Sequence, residues 1–359
     1  MRARRRRPGV LPVTLLWCVA SLLLACTATE EPVPEEPEPQ ETVTEPPPQV
    51  GIDAAVVLPP RTRASAPSLD AIELDLQVLE AANQPELRAV WSLLPDDAVF
   101  VRDLALYAGQ RSADLTCVLG PDGASLVSEL AALRPAVRFC AIVGIPPQEP
   151  PPPGIDLLVV RVEELGHVVG MATAALPAER IAIAVGTTDL EGSRFVDGFI
   201  AGLGQLDVLL LDDDDAAPTE LVDRAVADGA DTILLGSGHD APAMADAARA
   251  AGLRIIGPQA LADDEDDRDL GVTWRIRWDR VLQPSVDRVV GRSEPAGRSL
   301  GFAQRVFDVR APGGATAVED IIEQGVTEIG AGDRDPLRRP VVIEPPASPE
   351  SSDPSESSE

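Results

Sequence analysis

Residues 155–206 constrain this chain more than any other stretch, because they hold two apolar runs separated by helix-length segments. The runs are DLLVVRV at 156–162 and RIAIAVG at 180–186, and helical segments follow at 163–176 and 192–206. Neither run alternates apolar with polar residues. Both faces of each strand must therefore be covered, which is the condition of parallel strands in a layered α/β sheet. Pro177 closes the first helix, and the turn GTTD at 186–189 offers hydroxyls and Asp189 as caps for the second. That turn stands at a strand's carboxyl end, where open α/β sheets bind ligands.

The same alternation runs on either side. Strands are expected at 54–58, 87–93, 115–119 and 138–143, with helices at 68–82, 97–110 and 124–133 between them. The first helix carries an apolar stripe of Leu69, Ile72, Leu76 and Leu79 behind Ser68 as N-cap. IPPQEPPPPG at 145–154 is a stiff surface loop that no sheet interior tolerates. Beyond the central stretch, strands at 208–212, 232–236 and 254–257 alternate with helices at 219–227 and 241–251. A strand at 271–278 with a helix at 281–290 is expected to return the chain to its first half, a late strand at 300–309 to cross again, and a short helix to follow at 316–324.

The ends are of another kind. Five arginines in the first seven residues precede an apolar run at 10–24 that is short for a membrane span, so residues 1–25 read as a signal peptide. Residues 27–50 are almost all Glu, Pro, Thr and Gln and read as an extended tether; residues 330–359 are Pro-, acid- and Ser-rich and read as a disordered tail. The net charge of −29 becomes −34 once the five leader arginines are removed, and there is no lysine. So acidic a surface repels phosphate backbones, which sets nucleic acid aside as a partner. Cys117 and Cys140 fall mid-strand on neighbouring strands. Outside the cytoplasm a disulfide is allowed, but two buried thiols are expected, since cross-strand geometry within a parallel sheet is strained.

Three family likenesses carry the reading further. LLAC at 23–26 resembles the lipobox of bacterial lipoproteins, which implies lipidation of Cys26 and an extracytoplasmic protein anchored to the cell membrane. ELGHVVGMATAA at 164–175, RIAIAVG at 180–186 and RFVDGFIAG at 194–202 resemble the centre of the basic membrane protein family, and LTCVLG at 115–120 with PAVRF at 135–139 resembles it again. Members of that family are substrate-binding lipoproteins of ABC transporters, several of which bind nucleosides. The resemblance implies an α/β, two-lobed type I periplasmic-binding-protein-like fold, each lobe a doubly wound parallel sheet. Lobe 1 would span 51–162 and lobe 2 163–270, with 271–329 completing lobe 1 and the crossovers. In the conserved-looking helix RFVDGFIAG, Gly198 and Gly202 would let the helix approach a sheet closely.

The family's nucleoside site is only partly present. The loop after the first strand, PPRTRASAP at 59–67, has neither acid nor aromatic; Val143 and Gly144 stand where the family places Asp; and GPQ at 257–259 replaces G-V-D. Gly238 is retained, and Arg277 stands where the family carries Lys. Strand carboxyl ends meeting in a cleft would bring Arg61, Asp122 and Gly123 from one lobe to face Thr187, Ser193, Ser237 and Gln259 from the other. Arg61 and Arg277 there would favour a carboxylate or phosphate over a neutral nucleoside; outside the cleft they would pair with surface carboxylates.

Other chemistry is poorly supported. DDDD at 212–215 and DDEDD at 263–267 lack the alternate-residue spacing and closing Glu of a calcium loop, and two histidines, His167 and His239, cannot make a transition-metal site. GSGHD at 236–240 sets Ser, His and Asp in sequence, where their side chains diverge instead of converging as a triad. No dinucleotide or P-loop pattern occurs. The expectation is a non-enzymatic, lipid-anchored solute-binding protein without cofactor or metal. It would take a small nucleoside-like or anionic ligand and serve an ABC permease or a sensor. The alternative is a lipoprotein that keeps the fold, has lost the pocket, and acts as a structural or interaction module.

Overall fold

The computed structural model describes residues 51–58, 66–93, 101–110, 113–120, 122–149, 152, 154–184, 190–211, 216–236, 240–261, 270–292, 298–311, 313 and 315–337. The chain divides into two compact units, residues 1–47 and 48–359, and all described residues belong to the second.

Two six-stranded sheets form it. The strands are β1 (Ile52–Val57), β2 (Leu87–Leu93), β3 (Leu115–Leu119), β4 (Arg138–Val143), β5 (Ile155–Val160), β6 (Arg180–Ala184), β7 (Asp207–Leu210), β8 (Thr232–Leu235), β9 (Arg254–Pro258), β10 (Leu270–Ile276), β11 (Arg298–Leu300) and β12 (Phe307–Arg310). The helices are α1 (Ala66–Asn83), α2 (Val101–Gln110), α3 (Gly123–Leu133), α4 (Val162–Ala174), α5 (Leu190–Leu203), α6 (Pro218–Ala227), α7 (Ala241–Ala251), α8 (Trp278–Val289) and α9 (Thr316–Gly330). The first sheet runs β11-β5-β4-β3-β1-β2 and the second β12-β10-β9-β8-β6-β7. Every neighbouring pair is parallel except β10 with β12.

The strand orders match place for place, so the second half of the chain repeats the plan of the first. Each sheet is covered on both faces, as the continuous apolar runs require. Ala54 and Val56 of β1 face α1, where Ile72, Leu76 and Leu79 are buried; Val57 faces the opposite layer with Val127 and Leu130 of α3. In the second sheet Ile181 and Ile183 face α4 and α5, while Ala182 and Ala184 face α6 and α7.

The chain passes between the sheets three times: from β5 into α4, from β10 into α8, and between β11 and β12. Here the structure corrects the sequence reading. The strand expected to return to the first sheet, β10, stays in the second beside β9, and the return is made by α8, which packs on α1, β3 and β5. The single late strand is two short ones, β11 on the first sheet and β12 on the second. Helix α1 begins at Ala66, so Ser68 lies inside it instead of capping it, and α9 runs to Gly330 instead of stopping at 324. The chain from Ala331 to Leu337 then folds back, with Asp333 N donating to the Glu328 carbonyl at 2.8 Å, so the ordered part reaches into the segment read as tail.

Two further expectations change. Gly198 and Gly202 bring α5 against a helix, not a sheet. A Cβ on Gly198 would lie 2.2 Å from the Glu163 carbonyl oxygen and one on Gly202 2.1 Å from that of His167; Gly166 and Gly170 of α4 stand in the same relation to the carbonyls of Phe195 and Phe199. The helix pair therefore touches backbone to backbone. Cys117 and Cys140 are joined by a disulfide. They are register partners on β3 and β4 with Cα atoms 4.4 Å apart, so their side chains leave the same face of the sheet within bonding range, and the expected strain does not keep them as thiols.

Candidate functional site

The carboxyl ends of β1, β2, β6, β7, β8 and β9 lead into residues 59–65, 94–100, 185–189, 212–215, 237–239 and 262–269, which lie outside the described residues. Arg61, Thr187, Ser237 and Gly238 lie there, as does Cys26 in the first unit. The other five positions are placed. Asp122 is exposed at the N-cap of α3 and its carboxylate makes no capping bond. Gly123 behind it is buried, and a Cβ there would meet the Val118 carbonyl oxygen at 2.9 Å, so this glycine is required by the close approach of α3 to β3. Ser193 is half-buried in the first turn of α5. Gln259 opens a 3-10 turn, Gln259–Leu261, that follows β9 and touches α1 of the other lobe. Arg277 sits between β10 and α8. Among the described residues no hydrogen bond or ion pair joins Ser193, Gln259, Arg277 and Asp122 to one another.

Arg277 belongs instead to a network at the crossovers. Its Nε and Nη2 donate to the two carboxylate oxygens of Asp279 at 3.0 Å each, and Nη1 lies 3.8 Å from Asp308 of β12. Its own N–H donates to the Val306 carbonyl at 2.8 Å. Arg161, between β5 and α4, repeats the arrangement. Its N–H donates to the Leu300 carbonyl at 2.8 Å, its Nε lies 3.3 Å from Glu163, and its Nη1 lies 2.7 Å from Glu164. Leu300 and Val306 are the two ends of one turn, closed by a bond of 3.4 Å from Val306 N to the Gly301 carbonyl. The first two crossings are thus each hydrogen-bonded to the third.

Acidic side chains brace this core from both lobes. Asp75 of α1 accepts from Trp278 N at 2.8 Å and lies 3.5 Å from Arg275 Nη2, so it reaches from the first lobe to β10 of the second. Glu164 accepts from Phe302 N at 2.9 Å. Burial pushes both carboxyls above their ordinary values, opposed by those backbone bonds and by Arg275 and Arg161 respectively. The hydrogen bonds that Arg277 donates to Asp279 raise its own pKa above the ordinary guanidinium value. Arg194 of α5 approaches Glu163 Oε1 at 3.7 Å, while Glu163 Oε2 is buried without a hydrogen-bond partner.

Sequence reasoning named Arg277, as a ligand group in the cleft, and did not single out Arg161, Arg194, Arg275, Asp75 or Glu164 as site residues. A signal was present: RVE at 161–163 and RWD at 277–279 each follow an apolar strand and open a helix. Two surface grooves of about 420 and 350 Å³ lie against α9, one along its acidic face at Asp320, Glu323 and Thr327, away from this network, and one beside β12 at Phe307 and Ile322, which reaches Phe302, Arg305 and Asp308 of the network itself. Among the described residues there is no cluster of metal-ligating side chains and no helix long and apolar enough to cross a membrane.

No family model and no curated protein matches the sequence. Solved structures do match. A solute-binding protein of an ABC transporter system from Aeropyrum pernix K1 superimposes with a TM-score of 0.63 at 15% identity, over 79% of this chain and 92% of that one. One from Conexibacter woesei DSM 14684 gives 0.64 at 16%, over 79% and 98%. A transcriptional activator of the comK gene from Bacillus halodurans gives 0.60 at 14%, over 80% and 100%. At such identities the likeness is one of architecture, and with the paired sheets and triple crossover it establishes a two-lobed α/β fold of the type I periplasmic-binding kind.

Proposed function

We propose that this chain is an extracytoplasmic solute-binding protein, tethered by a lipid on Cys26, that closes two lobes on a small polar ligand for ABC-type uptake or sensing. The observation that carries the reading is the triple crossover. Two sheets of matching strand order joined by three short segments, two of them bonded to the third, are built to rotate about those segments, and their strand ends are where such sheets take ligands. The ABC-transporter proteins of similar fold support the same reading. Within that class the chain is placed as a divergent relative of the basic membrane proteins, on the wording of residues 164–202. The disulfide between Cys117 and Cys140 fits an oxidising compartment. No described residue is assigned a catalytic role.

The test is a thermal-shift screen of the mature chain against nucleosides, sugars, amino acids and their phosphorylated or carboxylated forms, followed by calorimetry on hits. Saturable binding supports the proposal. A chain that binds none of them acts as a structural or interaction module on the same fold. Anchoring is tested separately: Cys26→Ser should release the protein from membranes or leave its leader uncleaved, and a normally processed variant that still sediments with membranes would refute the lipid anchor.

A further inference from the structure

We infer that the solute taken between the lobes is an anion, bearing a carboxylate or phosphate, and that Arg161, Arg194 and Arg275 at the crossovers are the groups that grip it. This rests on the solute-binding reading above. Most ion pairs at the crossovers share one orientation, with the acid buried and the cation open: Glu163, Glu164 and Asp75 keep 5–7% of their side-chain surface, whereas Arg161, Arg194 and Arg275 keep 38, 36 and 33%. Asp308, 3.3 Å from Arg275 Nε and 35% exposed, is the exception. The water-facing side of this core is therefore mainly guanidinium, in a chain whose net charge is −29.

Donors are also left over. A guanidinium has five N–H groups in a planar fork. Arg161 spends two nitrogens on Glu163 and Glu164; Arg194 has a single long approach, 3.7 Å, to a Glu163 oxygen that it shares with Arg161. One carboxylate oxygen thus serves two cations while its twin is buried and unpartnered. The position suits a cleft ligand: Arg161 follows β5, Arg275 lies near the end of β10, and Arg194 is in the first turn of α5, which follows β6. Arg277, clamped bidentately on Asp279, is a positioning residue in this arrangement and not a ligand group. Such forks bind planar anions with paired, charge-assisted bonds about twice as strong as neutral ones.

The experiment uses matched probes on the whole mature chain: glucuronate and glucose 6-phosphate against glucose, and glutamate against glutamine, by calorimetry at low and raised salt. The expected result is that an anionic member binds at least tenfold more tightly than its neutral twin and loses affinity as salt rises. Arg194→Gln should weaken it tenfold or more, and Arg194→Lys, which keeps the charge but not the fork, less. Arg194 is the mildest site to change because its one ion pair among the described residues is long; an unchanged thermal midpoint confirms folding. Tight binding of a neutral member alone leaves solute binding intact and overturns this inference. Anion affinity within threefold of wild type in both Arg194→Gln and Arg161→Gln overturns it too, and no binding by any probe overturns it together with the function it rests on.

Discussion

The Nδ1 of His167 on α4 lies 2.7 Å from the carbonyl oxygen of Pro336, 169 residues further along the chain. That contact ties the segment after α9 to the helix that opens the second lobe. The imidazole is fully buried, and its Nε2 has no partner. Around it stand Arg334 and Asp335 of the bound segment and Glu328 of α9, with the α5 backbone at Gly202 against its own carbonyl.

Burial is the largest influence on this imidazole and holds its pKa below the ordinary value; the Pro336 carbonyl pulls it up, Arg334 pulls it down, and Asp335 and Glu328 oppose Arg334. The unfolded chain therefore takes up a proton at higher pH than the folded one. Stability should fall as pH drops through about 6.5 and level off below the folded value. Urea midpoints at several pH values between 7.5 and 5 check this: His167→Leu should flatten that part of the profile, and identical slopes in the two proteins would refute it.

The close approach of α4 and α5 gives a sharper prediction. Adding one methyl at Gly202 sets it 2.1 Å from a backbone oxygen that cannot swing aside, so Gly202→Ala should cost roughly 2–3 kcal/mol or more. Gly325→Ala on α9 is the control. Its Cβ would meet only side-chain ends, the Met171 sulfur at 3.2 Å and Val168 Cγ2 at 3.4 Å, and the helix gains up to about 1 kcal/mol of propensity. Denaturant melts of the two variants should differ by several-fold in lost stability; equal effects would show that the helix contact is looser than drawn.

Arg288 of α8 donates to Asp156 of β5, and both side chains are more than nine-tenths buried. Asp156→Leu or Arg288→Met alone should cost about 3–5 kcal/mol by stranding a charge, while the double variant should recover most of that loss. Additive losses in a double-mutant cycle would mean that the two charges do not depend on each other.

The disulfide closes a loop between positions 23 residues apart. Replacing Cys117 and Cys140 by alanine should lower stability by about 3 kcal/mol on loop-entropy grounds. Thiol titration of the unfolded, unreduced protein with Cys18 and Cys26 replaced by serine should find no reactive thiol, and two would contradict the bond.

Strand and helix positions were legible because burial on both faces leaves a continuous apolar run, and α7 and β4 fall where the sequence places them. Which sheet a strand joins was not legible. The run at β10 looks the same in either sheet, and only its pairing with β9 and β12 decides. Asp156 is a different case: an acid inside the apolar run DLLVV foretells a buried partner, yet Arg288 lies 132 residues away in a segment with no matching signal. At the candidate site Arg277 was named, as a ligand group, by its likeness to a family lysine, whereas Asp75 went unnoticed because one of four acids on an amphipathic helix reads as solvent-facing. The partners that bury it, Trp278 and Arg275, come from the last quarter of the chain.

The turn between β11 and β12 bears on where bending can occur. Residues 301–306 are bonded internally from Gln304 and Val306 to Gly301 and from Arg305 to Phe302, and Gly301 N is held by the Gln304 side chain. Arg305 completes it in the left-handed region at φ 57°, a conformation that few side chains adopt without such support. A loop so fully wired behaves as a solid pin. Rotation of one lobe against the other then falls on the backbone torsions at Arg161 and Arg277, the two strands of chain that pass on either side of it.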